Sequence, residues 1–229
     1  METANTRFKG SDWFDISYTS CIVGGCGGIG SWLTLFLKRA NFSPIVYDFD
    51  YVEEHNLGGQ LFGHEHIKSP KVEAINNVVR QFCSRSINTF QEDISNAIEM
   101  PFCFSAFDNM EARKEMFKIW KKTFKYSDSD PILIDGRLNM EYFQIFSVTK
   151  KTMNLYEKKY LFEDNEVIKQ SCTQQQTTHV AAMIASYMVA IFTNHISNIK
   201  KEENYRKVPF LYENFIPSMF SKIHERCSL

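Results

Sequence analysis

The 229-residue chain reads as an α/β fold, doubly wound about a mostly parallel but mixed sheet, with antiparallel strands at its C-terminal end. Three observations carry that reading. Short apolar runs alternate with segments of helical periodicity from residue 21 to residue 136. The first run passes straight into glycines in the pattern G-x-G-G-x-G, "CIVGGCGGIGSW". After Glu141 the alternation stops and adjacent strand-like segments follow.

Residues 21–23 form a short buried strand, and "SWLTLFLKRA" is a helix leaving the glycine loop directly. Lys38 and Arg39 fall in its last turn, where cations complement the helix dipole. "SPIVYD" is the second strand. After a longer loop, a helix over about residues 70–82 sets Val72, Ile75, Val79 and Phe82 on one face. Residues 102–107, "FCFSAF", are the next strand. The helix from about residue 109 spaces Ala112, Met116, Trp120 and Phe124 at i, i+4, with Phe117 beside them. "PILIDG" is a further buried strand.

Beyond Glu141, "YFQIFSVT" and "TMNLYEKKY" read as strands joined by a turn at Lys150 and Lys151. A helix follows over about residues 173–198, and "VPFLYENF" is the last strand. Within that helix, residues 180–192 read as core, and "KKEENYRK" as a solvated link. The expectation is a single domain over 1–229, with residues 20–140 as its nucleotide-binding half and 141–229 completing the sheet.

Composition narrows the function. Lys and Arg total 26 against 27 Asp and Glu, a net charge of −1, which argues against a nucleic-acid partner or a charged membrane surface. The first twenty residues are polar and resemble no secretory signal, and the apolar run 180–192 is shorter than the ~20 residues of a spanning helix. A soluble, intracellular protein is expected. Six cysteines are scattered without a C-x-x-C pair, so no zinc is expected and reduced thiols are. "HEH" at residues 64–66 reads as a polar loop rather than a metal site.

A strand that ends in glycines and feeds a helix converges backbone N–H groups on one point, where the helix adds about half a positive charge. Gly25 and Gly27 allow the tight turn and close approach of a ligand, while Gly30 lets helix and strand pack closely. The arrangement is Rossmann-like and suits a nucleotide phosphate. Cys26 is a small side chain that fits the loop. Asp48, ending the second strand, stands where such folds place a ribose-binding carboxylate.

To this point NAD is the default ligand. Asp50, Asn56 and Gln60 in "DFDYVEEHNLGGQ" exceed what a simple dinucleotide site needs. Lys71 in "SPKVEAI" stands in the first turn of a helix, opposing the dipole, as a nearby anion would explain; a solvated surface lysine is its plainer reading. Asp108 in "FDNMEAR" lies at a strand-to-helix junction, either as a capping box with Glu111 or as a carboxylate holding Mg2+ against phosphates.

The glycine loop, D-x-D with N-L-x-x-Q, P-K-V-E and F-D-N-x-x-x-R follow one another on successive strand-to-helix junctions. In that ordered set the chain resembles the ThiF/MoeB family of adenylyltransferases, related to ubiquitin-activating enzymes, over roughly residues 21–192. The resemblance implies Mg-ATP-dependent adenylation of a C-terminal carboxylate, on a ubiquitin-like protein or peptide, by a cytoplasmic homodimer. Gly25, Gly27, Gly28 and Gly30 would then cradle the phosphates and Asp48 the ribose. Asp50, Asn56, Gln60 and Lys71 would line the phosphate channel, and Asp108 would bind Mg2+. The family's N-L-x-R-Q arginine is replaced by Gly59. Arg7 is the candidate substitute, since relatives borrow an N-terminal arginine from the second protomer. Cys172 stands where some relatives carry a transfer cysteine, though a small thiol that merely packs there is the favoured reading. The alternatives are an NAD-dependent oxidoreductase and a nucleotide-binding scaffold without chemistry.

Overall fold

The computed structural model describes residues 8–14, 19–125, 130–162, 177–201 and 205–225. In chain order the elements are β1 (Ser20–Gly24), α1 (Gly28–Arg39), β2 (Ser43–Tyr47), α2 (Lys71–Cys83), β3 (Asn88–Phe90), β4 (Phe102–Ser105) and α3 (Met110–Lys122). There follow β5 (Ile132–Asn139), β6 (Tyr142–Val148), α4 (Met153–Tyr160), α5 (Thr178–Lys201), β7 (Leu211–Phe215) and β8 (Phe220–His224). The eight strands form one sheet in the order β3-β2-β1-β4-β5-β6-β7-β8. Pairing is parallel from β3 through β5 and antiparallel from β5 to β8.

The first strands read as unbroken apolar runs because both of their faces are covered. On one face Cys21, Val23, Phe104, Ile132 and Ile134 pack with Leu33 and Leu37 of α1, Val72 and Ile75 of α2, and Ile184, Met188 and Phe192 of α5. On the other, Ile22, Cys103, Leu133 and Phe146 pack with Met116, Phe117 and Trp120 of α3 and Tyr156 of α4. Each such side chain, fully buried, contributes about 1.5–3 kcal/mol from removal of apolar surface from water.

Three elements depart from expectation. "TMNLYEKKY" is a helix, α4, not a strand. Tyr156 and Tyr160, one helical turn apart, both pack on Phe146, with ring centroids 5.6 and 4.6 Å away. On a strand they would share a face but stand roughly 13 Å apart, too far for one ring to meet both. The last expected strand, β7, turns back into β8, an exposed edge strand that apolar patterning did not reveal. β3, only "NTF", was likewise unmarked. The link around residue 205 is more than solvated chain: Arg206 donates its backbone N–H to Asn198 Oδ1 at 3.0 Å, and its guanidinium meets Asp12 at 3.2 Å. By length and composition α5 is apolar enough to cross a bilayer, yet it lies against α1, β5 and β6, with His195, Ser197 and Asn198 buried. That is the placement of a core helix.

α1 begins three residues before the expected "SWLTL" start, because Gly28 and Gly30 belong to its first turn. A Cβ on Gly30 would lie 1.8 Å from the Gly25 carbonyl oxygen. A Cβ on Gly136 would instead meet the flexible end of Met188, with Sδ at 2.7 Å. Gly30→Ala is therefore expected to cost at least the roughly 1–3 kcal/mol of an overpacked site, and Gly136→Ala less, in urea unfolding. Equal midpoints for the two variants would contradict this account of α1.

Candidate functional site

In the strand order, β1 lies between β2 and β4, so the chain reverses its winding at the β1–β4 boundary. Ligands of open α/β sheets bind in the crevice at such a switch, beyond the carboxyl ends of the strands. Gly24, Ser105 and Asp135 are register partners across β1, β4 and β5 there. The loops following β1, β2 and β4 carry the residues singled out from the sequence.

Gly25 has φ +86°, and a Cβ on it would approach the Ala106 carbonyl oxygen to 2.9 Å. Glycine is required there on both counts. Gly27 is the N-cap of α1, and no side chain caps that helix. The first intrahelical bond runs from Ser31 N–H to Gly27 O at 3.0 Å, so the preceding first-turn N–H groups lack intrahelical acceptors. A Cβ on Gly27 would face open space, with only Gln60 Nε2 at 4.0 Å.

Asp48 Oδ2 accepts the Cys26 N–H at 2.6 Å and Oδ1 the Asp50 N–H at 2.8 Å, so the carboxylate ties the glycine loop to the end of β2. Burial pushes its pKa up, with the Lys71 charge and the two backbone donors opposing. Lys71 is not the solvated surface lysine of its plainer reading, being only 7% exposed. Its ammonium donates to Asp50 Oδ2 at 2.7 Å. Burial draws the ammonium pKa down, but the Asp48 and Asp50 carboxylates outweigh it and the net shift is upward. A lysine in the first turn of a helix thus finds its counter-charge on the β2 loop. Burial raises the Cys26 thiol pKa well above its ordinary value, and the Asp48 charge adds to that. It is not a nucleophile.

The loop carrying Asn56 and Gln60 is stitched onto α1. Asn56 is buried and its Oδ1 accepts the Glu53 N–H at 2.8 Å, while its carbonyl accepts from Gln60 N at 3.0 Å. Leu61 N–H donates to Ser31 Oγ at 3.0 Å, and the Trp32 indole N–H to Gly59 O at 3.3 Å. The Thr178 hydroxyl of α5 donates to Gly58 O. Ser31 and Trp32 were not expected as site-building residues; their one signal was position, directly after the fourth glycine of the motif. Gln60 ends up buried beside Gly27, and its Oε1 has no hydrogen-bond partner.

Asp108 does not form the expected capping box. Asn109 is the N-cap of α3, its Oδ1 accepting the Ala112 N–H at 2.9 Å. Asp108 is exposed, with Asn109 Nδ2 at 3.2 Å from its Oδ1. An apolar run had hidden a second polar centre nearby. Asp135, fully buried on β5, accepts from Arg113, from Arg137 Nε at 2.7 Å and from the Tyr156 hydroxyl at 2.8 Å. Burial pushes the Asp135 pKa up, and the two guanidinium groups with Tyr156 more than reverse this. The acid inside "PILIDG" was the available sign. Arg7 and Cys172 lie outside the described residues.

These residues fit a polyphosphate. An uncapped helix N-terminus and the open space over Gly27, with the Gln60 amide nitrogen 4.0 Å from where a Cβ would stand, offer donors and room for its oxygens. Among the described residues no group of three His, Cys, Asp or Glu side chains gathers as a metal cage. Mg2+ characteristically takes one or two carboxylates plus phosphate oxygens, and the exposed Asp108 carboxylate fits that arrangement.

Comparison with known proteins gives a consistent result. The ThiF family matches residues 5–228. The SUMO-activating enzyme subunit uba-2 of Caenorhabditis elegans is 36% identical over 97 residues, which is 41% of this chain and 16% of that protein. The chain therefore spans a small part of that relative's length. The solved structure of PaaA matches with TM-score 0.66 at 14% identity, covering 89% of this chain and 71% of PaaA. E. coli MccB solved with ATP matches with TM-score 0.66 at 16% identity, covering 90% of this chain and 63% of MccB. At such identities the likeness is one of fold.

The raised Lys71 pKa has a stability consequence. A group whose pKa is raised on folding stabilises fully below its unfolded value, about 10.4 for lysine, and loses that contribution as pH climbs through the folded value. Lys71→Met is expected to cost about 1–3 kcal/mol at pH 7, the order of a lost buried charged partner. The gap to wild type should close above about pH 10.4. A gap that stays constant between neutral and strongly alkaline pH would mean that Lys71 does not act through its charge.

Proposed function

The chain belongs to the ThiF family, and from that premise we propose that it is a Mg-ATP-dependent adenylyltransferase. It activates the C-terminal carboxylate of a ubiquitin-like protein or peptide as an acyl-adenylate, with release of pyrophosphate. One observation carries the reading: the N-terminus of α1, at the β1–β4 switch point, has no side-chain cap and faces open space over Gly27. A relative named for activating SUMO supports the class of acceptor.

Attack of a carboxylate on the α-phosphorus brings two anions together, so catalysis here is positioning plus neutralisation of charge. The N–H groups of Gly27, Gly28 and Gly30 hold phosphate oxygens. Gly25 shapes the turn instead, since its own N–H goes to Tyr47 O at 2.9 Å and that of Cys26 to Asp48. Each Asp48 oxygen already accepts one backbone N–H and keeps a second lone pair, which suits it to the ribose hydroxyls. Lys71 is held by Asp50, which is itself exposed and able to swing aside; the ammonium then serves the α-phosphate. Asn56 orders the loop that keeps Gln60 over Gly27. Asp108 would hold Mg2+, which when bound would supply stabilisation of charge on the phosphate oxygens.

The family arginine has no counterpart at Gly59, which is buried with its carbonyl accepting from Trp32. We assign that charge to Arg7 of a second protomer, in a cytoplasmic homodimer. A thiol at Cys172 would act after adenylation, on the acyl-adenylate.

ATP–pyrophosphate exchange tests the proposal, with a ubiquitin-like protein or a peptide ending in Gly-Gly as acceptor. Wild type should exchange, and Lys71→Ala should lower the rate by about 100-fold or more, the scale of a lost preorganised donor. Calorimetric binding of NAD but not ATP would favour the oxidoreductase reading; ATP binding without exchange on any acceptor would favour a scaffold. Separately, Arg7→Ala should reduce exchange without shifting the unfolding midpoint. Unchanged exchange removes Arg7 from the site.

A further inference from the structure

We propose that Arg113 is a positioning residue for Asp108: its buried guanidinium clamps the Phe107 carbonyl to β5 and so fixes the aspartate that follows. The inference rests on the reading of Asp108 as the Mg2+ ligand.

The geometry is direct. One arm of the guanidinium, Nη2, donates to Phe107 O. The other, Nη1, donates to Asp135 Oδ1 and, at 3.1 Å, to Gly136 O. Phe107 O belongs to the peptide plane whose nitrogen is that of Asp108, so immobilising it fixes the approach to the Asp108 Cα. On the other side, Asn109 is held by its cap to Ala112 N at 2.9 Å. Asp108 is thus tethered through both neighbours, while its own carboxylate stays exposed at the sheet edge.

Stability alone does not account for the clamp. Asp135 is fully buried and Arg113 is 6% exposed. A buried ion pair is often no better for stability than apolar side chains of like volume. Asp135 also has Arg137 and Tyr156 as partners, so Arg113 is not its sole source of compensation. What Arg113 adds is a planar fork that bridges a loop carbonyl and a strand, which a lysine cannot reproduce.

The experiment compares ATP affinity by calorimetry with and without Mg2+, in the full chain, for wild type, Arg113→Lys, Arg113→Gln and Asp108→Asn. Wild type and Asp108→Asn set the scale. Should Asp108→Asn keep the wild-type gain in affinity from Mg2+, the reading of Asp108 fails and the clamp has nothing to position. Given a loss in Asp108→Asn, the Arg113 variants are expected to bind Mg-free ATP as wild type does. The Mg2+ concentration giving half of the affinity gain should rise by about 10- to 100-fold, the usual effect of removing an outer-shell partner. Folded Arg113 variants with wild-type Mg2+ dependence would overturn the proposal. Failure of both to fold would also overturn it, by making the guanidinium a support of the fold instead.

Discussion

The whole site depends on how closely α1 approaches β1. With hydrogen in place of a side chain at Gly30, the helix sits against the Gly25 carbonyl at a separation no Cβ tolerates. That contact sets the direction of the helix, and its N-terminal N–H groups therefore point out of the β1–β4 switch rather than into the sheet. The loops that follow β1 and β2 are fastened to this one placement. Ser31 and Trp32, on the next turn of the same helix, receive the loop that carries Gln60. Asp48 holds the glycine loop from the other side through Cys26 N.

Charge is arranged on the same scaffold. Lys71 enters the crevice from α2 and is balanced by the Asp48 and Asp50 carboxylates, so that the trio carries one net negative charge. An ammonium alone in such a place would give up hydration without return. The pairing keeps it charged, and the exposure of Asp50 leaves the pair exchangeable with an anion. Across the sheet the Asp135 cluster is the opposite case, fully enclosed and unable to exchange. One ion pair suits a ligand site and the other suits a frame, and burial separates them.

Much of this was legible beforehand. The alternation through β5, the glycine loop feeding a helix and the acid closing β2 are local patterns whose meaning follows from backbone geometry. The parts that were not legible share a reason. α4 has too few residues for its period to declare itself, and only the need of Tyr156 and Tyr160 to reach Phe146 decides it. β3 and β8 lie at the two edges of the sheet, where one neighbour suffices and no apolar run is required. Asp108 and Asn109 are both competent caps, and which one turns inward depends on the approach of the chain from β4.

From the amino acids alone came the fold class, the family resemblance and the list of residues able to hold a nucleotide, because glycine permissiveness, apolar period and strand-end acids act over a few neighbouring residues. Tertiary structure decided which of those groups are engaged and which stand ready. Lys71 is buried and paired, Gln60 is left with an unpartnered oxygen, Asp108 is released from capping, and Arg113 reaches from α3 to β5. Burial and hydrogen-bond partners are set by residues far apart in the chain, and no local pattern records them.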